Sequence, residues 1–251
     1  MPKKFEPVVS DWTSALKSLG SGLGNSYHLL DRTHPKGSRK GYYWVYRGVG
    51  GESIYNWCTS REHKHVKKWL GKHFQGVLQS DGYDAYQSLV RSYALDGRQI
   101  KRAGCPAHIR RKFENARDQR PQTVRWFLKI IGRLFLREQI LQDHQADAET
   151  RARMRQRNSR PLIDLPKKAI DHLLEINVSP LPKKSTSAAL RYAQGQWPSM
   201  QVYLEHGEVE IDNNLVENAI CPSAVGKKNS PSSDTLKQVN SVRSSTRRLS
   251  V

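Results

Sequence analysis

The spacing of apolar residues changes partway along this chain. Gly41–Val49, GYYWVYRGV, is dense in aromatic and β-branched residues and reads as a strand. Gly50-Gly51 supplies a turn, and Ser53–Thr59, SIYNWCT, reads as the antiparallel partner. Ser60 stands where it can cap a helix through REHKHVKKWLGKHF, whose Val66, Trp69 and Leu70 recur at helical spacing. Gly76–Ser80, GVLQS, is a short strand of buried type that ends at Asp81-Gly82. Tyr83–Tyr93 follows as a helix with Ala85, Leu89 and Val90 inward, then Gln99–Ala103 as a strand. Cys105–Arg117 is a turn leading into a basic helix. Upstream, Tyr27–Leu30 reads as one more short strand. Residues 1–24, with the Gly/Ser-rich LGSGLGNS, form a lead-in of no assignable structure.

From about Pro121 to Leu204 the period is helical throughout. Val124–Gln142 places Trp126, Phe127, Ile130, Ile131, Leu134 and Leu141 on its apolar side. Ala146–Ser159 is so heavily charged that it reads as a solvated helix. Leu162–Leu174 and Ser185–Tyr203 flank the loop SPLPKK. Gly207–Ile211 reads as a last extended segment before Asp212, a good N-cap for a final helix. Residues 230–251 are Ser-rich and basic with no apolar period, and read as a disordered tail. The chain is thus an α/β unit over 25–118 that resumes at 207–229, interrupted by an all-helical insertion over 119–206.

Charge changes the picture next. Lys and Arg number 42 against 23 Asp and Glu, a formal net charge of +19. A surplus on this scale implies a polyanionic partner, with nucleic acid as the default. No stretch approaches the roughly 20 apolar residues that cross a bilayer, so no membrane partner is expected. The N-terminus lacks an apolar signal core. Three scattered cysteines do not make a disulfide framework, which fits a reducing cytoplasm.

Candidate chemistry gathers in a few places. Asp81 ends a strand of an α/β sheet, where ligands and catalytic groups collect, although an Asp-Gly turn is also common there. Glu210–Glu217, EIDNNLVE, puts Glu217 in the first or second turn of the final helix, near its positive dipole end. An ordinary capped helix accounts for the same residues. Together, Asp81 and Glu217 offer hard oxygen ligands suited to Mg²⁺ or Mn²⁺. Two such ions could serve phosphodiester chemistry, which ordinarily uses three or more carboxylates. Cys105 and His108 form a Cys-x-x-His pair that could be half of a zinc site, with Cys58, His63 and His65 as distant candidates to complete it. A packed Cys and a DNA-facing His explain the pair equally. Arg110, Arg111 and Lys112 and the Lys64–Lys72 stretch are candidate phosphate contacts or solvated faces.

Several phrases then converge: GYYWVYR (41–47), VLQSDGYDAY (77–86), AGCPAHIRRKFENA (103–116), RQRNSRPLIDLPKK (155–168), ALRYAQGQWPSMQVYLEHGEVEIDNNLVENAI (189–220) and AVGKKN (224–229). The sequence from about Leu30 to Asn229 resembles the insertion-sequence-66 family of bacterial transposases. The resemblance implies a ribonuclease-H-like mixed-sheet core of the DDE type, with a helical insertion before the last catalytic helix. It implies that Asp81 is the second metal-binding carboxylate and Glu217 the third, holding two Mg²⁺ (or Mn²⁺) ions. DNA cleavage by water and strand transfer by the freed 3′-hydroxyl follow from it. The implied partners are insertion-sequence ends, target DNA and at least one further copy of the chain, in the bacterial cytoplasm at the nucleoid. Lys227 and Lys228 of AVGKKN join Arg110, Arg111 and Lys112 as candidate DNA contacts.

Departures qualify this. The family's first Asp falls near Leu23–Asn25, where no acid stands, and Asp31 better matches a turn acid. Asn218 and Cys221 stand where the family usually has Arg, and Pro106 where it has Trp. After Asn229 a Ser/Arg tail replaces the family's ordered segment. The expectation is a chain truncated or frameshifted at both ends and catalytically defective. The alternative is a non-catalytic remnant that binds DNA or an intact transposase.

Overall fold

The structure is a computed structural model, and it describes residues 17–21, 27–30, 35, 38–48, 53–71, 74–82, 84–176 and 186–219. Strand β1 (Lys17–Ser21) is followed by β2 (Tyr27–Leu30), β3 (Ser38–Gly48) and β4 (Ser53–Cys58). Helix α1 (His63–Leu70), β5 (Gly76–Ser80), α2 (Asp84–Leu95) and β6 (Ile100–Ala103) come next. Helices α3 (Pro106–Glu114), α4 (Pro121–Asp143), α5 (Ala148–Met154), α6 (Arg160–Glu175) and α7 (Thr186–Glu205) complete the series, with a π-helical stretch Arg155–Ser159 joining α5 to α6. A further helical segment covers 214–219.

The sheet is organised on β3, the long aromatic strand. One edge of β3 pairs antiparallel with β4, from Tyr42↔Cys58 to Arg47↔Ser53. Its other edge takes β1 (Ser21↔Trp44) and β2 (Tyr27↔Gly41) end to end, both antiparallel. Beyond β1 the pairing becomes parallel, Leu19↔Ser80 with β5 and Gly76↔Ile100 between β5 and β6. The strand order is therefore β4-β3-β1-β5-β6, with β2 beside β3. Strand β1 lies inside the lead-in that composition left unassigned. LGS carries little strand pattern of its own, and pairing on both sides supplies the missing preference.

Alternation along the strands assigns the two faces. Leu78 joins Trp44, Tyr46, Val66, Tyr86 and Leu89 in a core under α1 and α2. Tyr46 stacks on Trp69 at 3.8 Å between ring centroids. Val77 and Ala103 point the other way, into a core with Ile109 and Phe113 of α3, Val124, Phe127 and Ile131 of α4, Ile163 and Ile170 of α6, and Leu190 and Trp197 of α7. The helical block thus shares one core with this sheet face.

Four local expectations change. Glu62, not Ser60, occupies the cap position of α1, because the Ser60 hydroxyl is engaged with His65 Nε2 at 2.8 Å. Trp126 stands 37% exposed on α4, and Val124 takes the inward place instead. Gly207–Ile211 forms turns rather than a strand. Arg155 and Ser159, in the segment read as solvated, are fully buried.

Gly207 marks a close approach. A Cβ there would collide with the carbonyl of Ala148, a backbone group that cannot rotate aside. Gly207→Ala is expected to destabilise the fold by about 1–3 kcal/mol through overpacking. A thermal unfolding midpoint equal to that of the parent chain would refute this.

Candidate functional site

Strand β5 delivers Asp81 at its C-terminal end, half-buried. Arg102 of β6 fixes the backbone there, donating from Nη1 to the Asp81 carbonyl at 3.1 Å. Its Nη2 donates to Gln196 Oε1 at 2.8 Å and Ser199 Oγ at 2.9 Å, tying the strand end to α7. Gly82 sits tight against α7, where a Cβ would make the Tyr192 hydroxyl shift. Burial, helped by the Asp81 charge, pushes the Tyr192 phenol up to about 12.

Glu217 is positioned by a short helix whose cap differs from the expected one. The carbonyl of buried Asn213 accepts the N–H groups of Val216 (3.0 Å) and Glu217 (3.1 Å), so Asn213 holds the cap position. Asp212 stands one residue earlier, and its Oδ1 accepts the Asn214 N–H at 3.0 Å. Desolvation raises the Asp212 pKa, with the Glu210 charge adding to it and Asn214 and His108 opposing. Val216 packs on Val45 of β3, and the Tyr55 hydroxyl of β4 donates to the Ala219 carbonyl at 2.6 Å. Glu217 thereby faces α3 on the sheet side opposite α1 and α2. Its Oε1 lies 3.3 Å from His108 Nε2, and its Oε2 lies 4.0 Å from Arg111 Nη2.

This contact is poorly satisfied. Both His108 nitrogens, Glu217 Oε1 and Asn213 Oδ1 are buried without an aligned hydrogen bond inside the protein. Orphaned buried polar atoms are costly and rare, and these four atoms of His108, Asn213 and Glu217 fall in one place.

The structure brings His108, Arg111, Asn213 and Glu217 together. Cys105 adjoins them as the residue capping α3, but burial pushes its thiol up to about 12, and the Asp212 charge acts the same way against backbone N–H groups of Asn213, His108 and Ala107. Cys58 lies in the core on the other sheet face, and His65 is engaged with Ser60. Among the described residues, no group of three or more metal-ligating side chains assembles. Of the basic candidates on α3, Arg110 pairs with Glu114 at 2.9 Å and Lys112 lies 5.0 Å over the Tyr192 ring. Leu23–Asn25, Cys221, Lys227, Lys228 and the tail lie outside the described residues.

Sequence reading missed the device that holds the approach to Glu217. Arg155 is fully buried, and its five N–H groups all have acceptors. Nε donates to Glu138 Oε2 at 3.0 Å and Nη2 to Glu138 Oε1. The carbonyls of Tyr203 (3.0 Å), His206 (2.8 Å) and Val209 (2.9 Å) take the rest. Arg151 links Glu138 Oε1 (2.9 Å) to Glu210 Oε2 (3.1 Å). Gln79 of β5 then donates to the Glu210 carbonyl at 2.6 Å. The helical block thus grips the segment that enters the final helix, and β5 holds its other side. One signal was available: Glu138 falls at helical spacing after Ile131 and Leu134 on a stripe otherwise apolar, which demands a buried cation.

Comparison with known proteins places the chain. No solved structure matches it significantly. Uncharacterized protein y4qI of Sinorhizobium fredii (strain NBRC 101917 / NGR234) is 31% identical over 240 residues, covering 91% of this chain and 41% of the relative. From the same organism, uncharacterized protein y4jD is 28% identical over 179 residues, 70% of this chain and 34% of the relative. Uncharacterized protein y4hP is 29% identical over 211 residues, 75% of this chain and 37% of the relative. The chain therefore spans about two fifths or less of the length of these curated relatives. The family model described as "Transposase IS66 family" matches residues 27–240, which extends past Asn229 into the Ser/Arg tail. The match covers the sheet from β2 onward, the helical block and the helix of Glu217 in a single span, and on it the chain belongs to the IS66 family of transposases.

Proposed function

We propose that this chain is a DDE-type transposase core that engages DNA in the bacterial cytoplasm but is catalytically defective. The mixed sheet supports a ribonuclease-H-like reading: an antiparallel meander passes into parallel strands, helices cover both faces, and an acid follows the inner parallel strand β5. The net charge of +19 supports DNA as the partner, as insertion-sequence ends and target. Among the described residues, no helix is long and apolar enough to cross a membrane.

The observation that carries the defective reading is the environment of Glu217. An intact centre of this type would hold two Mg²⁺ or Mn²⁺ ions, and two dications need several anionic oxygens. Here the Glu217 carboxylate rests against His108 and Arg111. The neighbour of β5 in the sheet, β1, reads KSLGS and brings no acid. Asp81 and Glu217 alone do not fit a two-metal centre, and no reaction step is assigned to metal in this chain.

The test is a cleavage and strand-transfer assay on labelled duplex in Mg²⁺ and in Mn²⁺. No cleaved or joined product is expected with either ion. Robust metal-dependent cleavage that disappears in Asp81→Ala would overturn the reading.

A further inference from the structure

Helix α4 carries a row of cations with no ion-pair partner among the described residues. Arg125, Lys129 and Arg133 are all exposed and recur every four residues, about 6 Å apart along the axis. Among the described residues, none of the three makes an ion pair or hydrogen bond. The acids of α4 lie elsewhere. Glu138 is buried against Arg155, and Asp143 at the C-terminal end accepts from Gln139. Like charges four residues apart on a helix repel, so the row weakens the isolated helix. A solvated face ordinarily interleaves the two signs instead.

Other basic helices behave differently. On α1, Lys64 pairs with Glu62 at 2.6 Å and Lys67 with Asp96 at 2.7 Å. On α3, Arg110, Arg111 and Lys112 each have a partner within the protein. Among the described residues the α4 row has no compensating acid, and Trp126 exposes part of an indole beside Arg125. The row lies on the sheet side that holds Glu217. Helix α4 packs on α3 through Phe113 and Phe127, stacked with centroids 4.5 Å apart.

We propose that Arg125, Lys129 and Arg133 form a second DNA contact, binding the phosphate backbone of a duplex outside the Asp81–Glu217 site. This rests on the reading of the chain as DNA-directed. Fixed cations on a rigid helix neutralise phosphates and release their counterions, so each contact adds to the salt dependence of binding.

The experiment measures affinity of the full chain for a mixed-sequence duplex across a salt series. The variant is Arg125→Gln/Lys129→Gln/Arg133→Gln. Losing three phosphate contacts should make the slope of log K against log salt shallower by about 2.7. Over a fourfold rise in salt, the parent chain then loses about 40-fold more affinity than the variant. Arg125→Lys/Arg133→Lys should keep the parent slope, because phosphate accepts either cation. Arg91→Gln/Lys168→Gln/Arg191→Gln removes the same charge from exposed positions on α2, α6 and α7, and it too should keep the parent slope. Circular dichroism melts establish that each variant is folded. Parental binding with an unchanged slope in the α4 variant overturns this inference and leaves the DNA reading standing. Equal loss in both Gln triples also overturns it, since total charge would then be the cause. Binding to polyglutamate but not to duplex would assign the row to an acidic protein, against the proposal. Absence of any salt-dependent duplex binding by the parent chain removes the DNA reading itself.

Discussion

Replacing Arg155 by alanine is expected to destabilise the protein by about 3–5 kcal/mol, the usual cost of removing one partner of a buried ion pair. Glu138, with a side chain 2% exposed, would keep its charge with only Arg151 beside it. The carbonyls of Tyr203, His206 and Val209 would also lose their donor. For a chain of this size the thermal midpoint should fall by about 10 °C. A second variant divides the effect. Glu138→Leu/Arg155→Met removes both charges and keeps the volume, which can be neutral for a simple buried pair. Here it should remain well below the parent, because three carbonyls stay unpaired at about 1–3 kcal/mol each. A midpoint within about 2 °C of the parent for Arg155→Ala would show that the network does not hold the fold. The consequence reaches the site, since these carbonyls belong to the last turn of α7 and to the segment that leads from it to Glu217.

Much of this architecture was legible because the pattern was local. GYYWVYRG, GVLQS and the helical period from Pro121 onward specify their own elements, and those elements form. The places of Asp81 after a strand and of Glu217 in a final helix were readable as two acids at element ends. What escaped reading depends on distant residues. LGS in β1 becomes a strand only between β3 and β5. Arg155 looks solvated among its charged neighbours, and only Glu138 on another helix shows that it must turn inward. Asn213 rather than Asp212 caps the last helix because Val216 must reach Val45, which sets where that helix begins. The link between Glu217 and His108 joins positions more than a hundred residues apart, and no local spacing announces it.

Cys105 should be almost inert in the folded protein. Its thiol is pushed from 9.0 to about 12, mainly by burial, and the residue is 5% exposed. At mildly alkaline pH the thiolate fraction is then about a thousand-fold below that of a free thiol, before access is counted. In a Cys221→Ser chain, a thiol reagent should label Cys105 only as fast as the protein opens. Labelling at the rate of an exposed cysteine would refute this. The same shift has a stability consequence whose sign is fixed by linkage. Between 9.0 and about 12 the unfolded chain has lost the Cys105 proton and the folded chain has kept it. Tyr192 and Tyr203, raised from 10.0 to about 12, act in the same direction. Their contribution is full below about pH 9 and is lost as pH climbs towards 12. Urea midpoints should therefore drop from about pH 8 to about pH 11, and replacing Cys105 by alanine should reduce that drop.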